Sequence, residues 1–191
     1  MGINSYPHVE VHSRAEWRAW LGVHHATHGP IWLVTWKKGT PHYLPYDAII
    51  EEALCFGWID STARRLDAER SMLMLAPRKP KSVWSALNKR RVEKLELAGA
   101  LAAAGRAKID AARADGSWNA LDAAETLTMP ADLAKALGRR GLAMYESYPP
   151  SLRKQVLFWV TSARRPETRV RRIEEIARDA RAQRRPARRS A

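Results

Sequence analysis

The sequence predicts an α+β fold, in which a small mixed β-sheet with flanking helices is followed by an all-helical C-terminal region. The apolar run IWLVTW at 31–36 has the length of a strand covered on both faces. The segments WIDSTARRL and RSMLMLA are typical of two strands joined by a short polar turn. Beyond this hairpin the sequence has helical periodicity alone, which assigns the strands to the first half of the chain.

Three helices are predicted around the strands. Ser13 caps the first, because Glu16 follows it at the spacing of a capping box. The second is YDAIIEEALCF at 46–56, with Tyr46 and the isoleucines on one side and Glu52 opposite. A third is expected from Val83 to Ala98, with Ser82 as its cap.

The C-terminal half predicts a further helix that ends at Gly116 and, after a connection without a clear period, four short helices from Pro130 onward. We therefore expect an α+β domain over residues 1–118, a helical domain over 119–180 and a disordered Arg-rich tail over 181–191.

The composition favours a folded protein of the cytoplasm. The hydrophobic fraction is 46%, and eight Trp are present, which a disordered chain would not carry. No apolar stretch approaches the roughly 20 residues of a membrane span, and the N-terminus has no signal-peptide core. Cys55 is the only cysteine, so the chain forms no internal disulfide. We predict a cytoplasmic protein without a cofactor, whose oligomeric state the sequence does not indicate.

The charge favours an anionic partner. The net charge is +13, and the last eleven residues, RAQRRPARRSA, hold five Arg and no acid. Such an excess attracts small anions or nucleic acid, and it is also typical of a solubilising tail. Both interpretations stay open, and a nucleic-acid-binding module is one alternative function.

The helix predicted at 83–98 carries polar residues within its apolar sector. Asn88 and Arg91 fall between Trp84 and the aliphatic positions of this helix. In one interpretation Arg91 pairs with a carboxylate such as Asp60 or Glu51, since buried charges require partners. In the other, the sector borders a cleft for an anion.

A second inward arginine is expected on the last helix, which suggests an acidic partner or a ligand shared with Arg91. An arginine fork near a helix N-terminus suits phosphate or carboxylate. The predicted ligand-binding residues are Arg78, Ser82, Trp84, Ser85, Asn88, Arg91 and Arg169.

Four segments in the same order resemble a known family. They are ALCFGWIDS at 53–61, PRKPKSVWSALN at 77–88, the AG…ADGSW run that ends at Trp118, and AxxPETRxRRI at 163–173. The chain resembles the bacteriocin-protection, YdeI/OmpD-associated family of bacterial proteins over about residues 15–178. The resemblance implies a role in resistance to bacteriocins or antimicrobial peptides and in envelope stress. It supplies no catalytic residue set.

Other site types have weaker sequence support. Asp60 is the one candidate for a catalytic base, with Arg91 as an anion anchor, which makes a small-molecule enzyme a further alternative. His24 and His28 are four residues apart and could share a metal, but no Cys or acidic ligand lies nearby, so no metal site is predicted. Trp118, in a polar loop, is expected to be exposed and able to stack on a base.

Overall fold

The computed structural model describes residues 5–163 and 165–186. Four strands and eight helices are present in these ranges, and they divide between two compact units. The first unit comprises residues 1–82 and 87–116, and the second comprises 83–86 and 117–191. The predicted domain boundaries at 118 and 180 remain predictions, and residues 187–191 of the predicted tail lie outside the described residues.

The first unit contains a four-stranded mixed sheet. Its strands are β1 (His8–Glu10), β2 (Ile31–Trp36), β3 (Trp58–Arg65) and β4 (Arg70–Pro77), in the order β1-β2-β4-β3. The β1–β2 pair is parallel, while β2–β4 and β3–β4 are antiparallel. The predicted α+β class with a small mixed sheet is therefore confirmed.

Four helices belong mainly to the first unit: α1 (Arg14–His24), α2 (Tyr46–Cys55), α3 (Ala86–Leu97) and α4 (Ala103–Asp115). The Ser13 cap of α1 is confirmed, because its side chain accepts a hydrogen bond from the Glu16 amide. Gly116 ends α4 in the left-handed conformation at φ 80°, as its sequence position predicts.

Two expectations for α2 are wrong. Glu52 was expected opposite the apolar face of the helix, but it is 3% exposed. Its carboxylate accepts hydrogen bonds from Arg14 Nε and Arg18 Nη1, both at 2.6 Å, so two guanidinium groups of α1 compensate its burial. Tyr46 was expected on the buried side and is instead 48% exposed, because it lies in the first turn of the helix.

The predicted start of α3 is also wrong. The helix begins at Ala86 rather than Val83. Ser82 does not cap it, because its hydroxyl donates to the Lys79 carbonyl at 2.8 Å and Lys81 adopts a positive φ of 61°. The chain therefore forms a turn where the sequence pattern predicts the first helical turn.

The described part of the second unit has no strand. Its helices are α5 (Asp122–Glu125), α6 (Ala131–Glu146), α7 (Pro150–Thr161) and α8 (Pro166–Arg181). α6 contains the two predicted short helices, joined at Gly138 with φ 61° and ψ −178°. Leu133, Leu157 and Ile176 are fully buried in the core that α6, α7 and α8 share. The predicted C-terminal helices are confirmed, and α5 is an addition within a segment predicted to be irregular.

Gly105 sets the approach of α4 to α2. A Cβ atom at this position would lie 2.2 Å from the Cys55 carbonyl oxygen and 2.6 Å from its carbonyl carbon, which are backbone atoms. We predict that Gly105→Ala lowers the free energy of unfolding by about 1–3 kcal/mol or more, since the helices must separate. Gly22→Ala, on an open side of α1, is the control and should raise it by about 0.5–1 kcal/mol. Urea denaturation measures both values, and equal stabilities would contradict this packing.

Tyr145 and Tyr148 form a matched pair in the second unit. Both are buried; the Tyr145 hydroxyl has no hydrogen-bond partner among the described residues, whereas Tyr148 donates to the Arg184 carbonyl at 3.0 Å. An unsatisfied buried hydroxyl costs about 1–3 kcal/mol. Tyr145→Phe should therefore leave the free energy of unfolding unchanged or raise it, whereas Tyr148→Phe should lower it by about 1 kcal/mol.

The same tyrosine predicts a pH dependence. Burial raises the pKa of Tyr145 from its ordinary value of 10.0 to about 12. Between these values the unfolded chain loses the phenol proton and the folded protein keeps it, so stability falls as the pH rises from about 10 to 12. Thermal unfolding across this range should show a smaller loss in Tyr145→Phe than in the wild type. An identical loss in both proteins would contradict the assignment.

Candidate functional site

A hydrogen bond between Tyr46 and Asp60 joins the start of α2 to β3 in the first unit. The Tyr46 hydroxyl donates to Asp60 Oδ2 at 2.6 Å. Desolvation, followed by the hydrogen bond to Asp60 and then its negative charge, raises the pKa of Tyr46 to about 12. Tyr46 is therefore protonated at neutral pH and acts as a donor to the carboxylate.

Arg91 lies on the other side of Tyr46. Its Nη2 donates to the carboxylate of Asp47, and its Nη1 donates to Asn88 Oδ1 at 2.8 Å. The guanidinium carbon lies 5.8 Å from the centre of the Tyr46 ring, within the range of a cation–π contact. The Arg91 side chain is 12% exposed, whereas that of Asp47 is 74% exposed. One partner of the ion pair is thus held in place and the other faces solvent.

The predicted partners of Arg91, Asp60 and Glu51, are both wrong. Asp60 accepts from Tyr46, and Glu51 pairs with Arg14 at 2.9 Å. Asp47 takes their place because Arg91 reaches the first turn of α2, where Asp47 is the acidic residue. The interpretation that Arg91 pairs with a carboxylate is confirmed, with a different carboxylate.

Arg78 follows β4 and is 4% exposed. Its backbone amide donates to the Gly57 carbonyl at 2.9 Å, and its Nη2 lies 3.5 Å from the Ser82 carbonyl oxygen, at the limit of a hydrogen bond. Burial lowers the pKa of Arg78 to about 10, and the negative charge of Asp60 opposes this shift without cancelling it. The positive charge of Arg78 is therefore held in a poorly solvated position, where the charge of Asp60 favours it.

These side chains form one polar group, called here the Tyr46 cluster, which consists of Tyr46, Asp47, Asp60, Arg78, Asn88 and Arg91. It unites four residues that the sequence singled out: Asp60, Arg78, Asn88 and Arg91. Its two arginines and two aspartates balance in formal charge. Chemically, the cluster can donate several N–H groups to an anion, while the phenol–carboxylate pair can orient a polar ligand.

The other predicted ligand-binding residues lie outside this cluster. Trp84, Ser85 and Arg169 belong to the second unit. Arg169 donates to Asp132 through Nε at 2.7 Å and Nη2 at 2.9 Å, and this bidentate pair holds the pKa of Asp132 below its ordinary value. Since Arg91 and Arg169 have different acidic partners, the expectation of a shared counterpart is wrong. The ligand-binding role of Arg169 remains a prediction.

Trp84 and Trp118 pack against each other within the second unit. Their ring centres lie 5.0 Å apart, and they are 1% and 9% exposed. The expectation of an exposed Trp118 that stacks on a base is therefore wrong. The partner of Trp118 lies 34 positions earlier in the chain, and the polar residues around Trp118 give no local sign of this aromatic contact.

His24 and His28 contact each other around Trp20. The two imidazoles lie 4.7 Å apart, and their distances from the Trp20 ring are 4.8 Å and 5.3 Å. In the part of the chain that the structure describes, no group of three or more His, Cys, Asp or Glu side chains could hold a metal ion. Trp20 explains the spacing of the histidines as an aromatic contact.

Sequence reasoning missed two members of the cluster, Tyr46 and Asp47. Both lie in the first turn of α2, and Asp47 occupies a position where an acidic residue favours the helix dipole. An exposed tyrosine followed by an acid at a helix start could have suggested a polar site. The helical period instead assigned Tyr46 to the core.

The fold and the cluster together define a class: an α+β unit with a polar, arginine-containing site, in a chain that also contains a helical unit. Comparisons with known proteins make this more specific. Residues 9–108 match a domain of unknown function (DUF8412), and residues 126–183 match the family described as bacteriocin-protection, YdeI or OmpD-associated. The chain belongs to the family of that first domain, which covers more than half of its length, and its C-terminal part is a YdeI/OmpD-associated domain.

The second match confirms the resemblance noted in the sequence, and it suggests a protection or stress-related role. No curated protein and no solved structure matches the chain. Among the described residues, none of the helices combines the length and apolar character needed to cross a bilayer.

The Tyr46–Asp60 hydrogen bond can be tested with a matched pair of variants. Tyr46→Phe removes the donor to Asp60 and should lower the free energy of unfolding by about 1 kcal/mol. Tyr43→Phe alters a similarly exposed tyrosine for which no side-chain hydrogen bond is seen, so it should change stability by less than about 0.5 kcal/mol. Urea denaturation at neutral pH measures both. A smaller loss in Tyr46→Phe than in Tyr43→Phe would contradict a stabilising role for this bond.

Proposed function

We propose that this is a non-catalytic bacterial protection or stress-response protein of the cytoplasm, which binds a small anionic ligand at the Tyr46 cluster. The observation that carries the proposal is the ion pair of Arg91, in which the arginine side chain is 12% exposed and that of its partner Asp47 is 74% exposed.

Arg91 supplies the point of attachment for an anion. Asp47, the ion-pair partner of Arg91, is 74% exposed, so an anion from solution can compete with it at low cost. Arg91 itself stays oriented by Asn88 and by the ring of Tyr46. A planar guanidinium that is held in place but paired with an exposed carboxylate suits a phosphate or carboxylate ligand.

An enzyme is the alternative that one observation favours. The 2.6 Å hydrogen bond between a phenol and a carboxylate resembles an acid–base pair, with Asp60 as the base. The raised pKa of Tyr46 supports binding instead, because a phenol that keeps its proton to about pH 12 occupies one oxygen of Asp60 as a donor at neutral pH. We therefore assign Asp60 to the orientation of the ligand.

The proposal predicts that Arg91→Gln loses both anion binding and protection. Pyrophosphate serves as the probe and is titrated while the arginine side-chain resonances are followed by NMR. Protection is measured as survival of a bacterial host that lacks the gene and is exposed to a bacteriocin or a cationic peptide. Arg90→Gln is the control, because Arg90 is the exposed neighbour on the same helix. We expect at least a tenfold loss of pyrophosphate affinity in Arg91→Gln and no change in Arg90→Gln.

Unchanged binding and protection in both Arg91→Gln and Arg78→Gln would contradict the proposal. Binding of a short single-stranded DNA that falls steeply with salt and is indifferent to both substitutions would support the nucleic-acid alternative instead. Turnover of a small-molecule substrate that Asp60→Asn abolishes would support the enzyme alternative.

A further inference from the structure

The first unit contains a cavity of about 230 Å³ that the Tyr46 cluster does not account for. It lies beside strands β2, β3 and β4, the segment before α2, and the first turn of α2. Most of its lining is apolar. Six of its lining residues are Thr35, Leu44, Ile49, Ala63, Ser71 and Leu73, of which Ala63 is exposed.

Strand pairing explains why these side chains meet. Thr35 pairs with Ser71 and Leu33 with Leu73 across β2 and β4, while Ala63 pairs with Leu73 across β3 and β4. Paired residues lie on the same face of a sheet, so Thr35, Ser71, Leu73 and Ala63 share one face. Two small residues, Ala63 and Ser71, leave space there that larger side chains would fill.

Two aromatic residues stand at the rim of the cavity. Tyr43 and Tyr46 are 43% and 48% exposed, and both belong to its lining. Trp36 lies at the same end of β2 and is also part of the lining. A flat ring that enters from solvent would contact aromatic side chains first, in the offset or edge-to-face arrangements that such rings favour.

Lys37 gives the cavity a positive charge. It follows β2 at the position where the strand alternation continues from Thr35, and it belongs to the lining. Its Nζ donates to the carbonyl oxygens of Asp67 and Ala68 at 2.7 Å and 2.8 Å, so these two neutral acceptors use two of its three N–H donors.

The carboxylate of Asp67, in the same turn, already accepts hydrogen bonds from other groups. Asp67 Oδ2 accepts from Arg70 Nε at 2.7 Å, and Asp67 Oδ1 accepts from the amides of Glu69 and Arg70. Within the described residues Lys37 has no ion-pair partner. The third N–H donor of Lys37 can therefore serve a carboxylate from a ligand.

We infer that this cavity binds a small monocyclic aromatic carboxylic acid, with the ring among Ile49, Leu73 and the rim tyrosines and the carboxylate at Lys37. The volume sets the size, because an apolar cavity of about 150 Å³ accommodates benzene, and the remaining space admits a short acidic substituent. The hydroxyl groups of Thr35 and Ser71 add hydrogen-bonding positions beside the ring. The charged group of this site, Lys37, is separate from Arg91 of the proposed anion site, while Tyr46 belongs to both sites.

The inference is tested by titrating the full chain with phenylacetate. Binding is detected by calorimetry and by changes in the methyl NMR resonances of Ile49 and Leu73. Phenylacetamide, which has the same shape without the charge, is the reference ligand. We expect Lys37→Met to weaken phenylacetate binding at least tenfold and to leave phenylacetamide binding unchanged. Lys38→Met is the matched control, because Lys38 is exposed and lies outside the lining, and it should bind phenylacetate as the wild type does.

Ala63→Leu provides a second test, since it places a bulkier side chain at an exposed part of the lining and obstructs the cavity without altering its charge. This variant should lose binding of both ligands while circular dichroism shows an intact fold. Arg91→Gln should keep phenylacetate binding, which separates this site from the one proposed at Arg91. Three results would overturn the inference: no phenylacetate binding by the wild type at millimolar concentration, equal affinity for the amide and the acid, or binding that survives both Lys37→Met and Ala63→Leu.

Discussion

The polar part of the first unit depends on how the carboxylates of Asp47 and Asp60 interact with Tyr46, Arg78 and Arg91. Asp60 accepts a hydrogen bond from Tyr46, Asp47 accepts one from Arg91, and the negative charge of Asp60 also acts on Arg78. A buried guanidinium in that position keeps its charge at a cost in solvation, which the lowered pKa of Arg78 expresses. The ion pair of Asp47 and Arg91 also joins α2 to α3.

Tyr46 connects the two sites described in the first unit. Its hydroxyl belongs to the polar cluster, and the residue also lines the apolar cavity. A ligand in the cavity would therefore border a tyrosine whose hydrogen bond orients Asp60. The cavity and the polar cluster therefore share one side chain, that of Tyr46.

The sequence predicted the elements better than their polar partners. Strand composition and helical period placed the hairpin and the C-terminal helices correctly, because these signals are local. Glu52 shows what a local pattern misses: its burial depends on Arg14 and Arg18, which lie more than 30 positions earlier and meet it only in the folded chain. Arg91 was recognised as inward, yet its carboxylate could not be chosen from sequence, because Asp47, Glu51 and Asp60 were all compatible with the pattern. The cavity at Lys37 had no sequence signal, since a space is defined by what neighbouring strands leave unfilled.

The short segment 83–86 belongs to the second unit, although the residues on either side of it belong to the first. The chain consequently passes between the units three times, and no single cut separates them into two continuous pieces. A C-terminal module transferred alone to another protein would leave behind Trp84, the aromatic neighbour of Trp118.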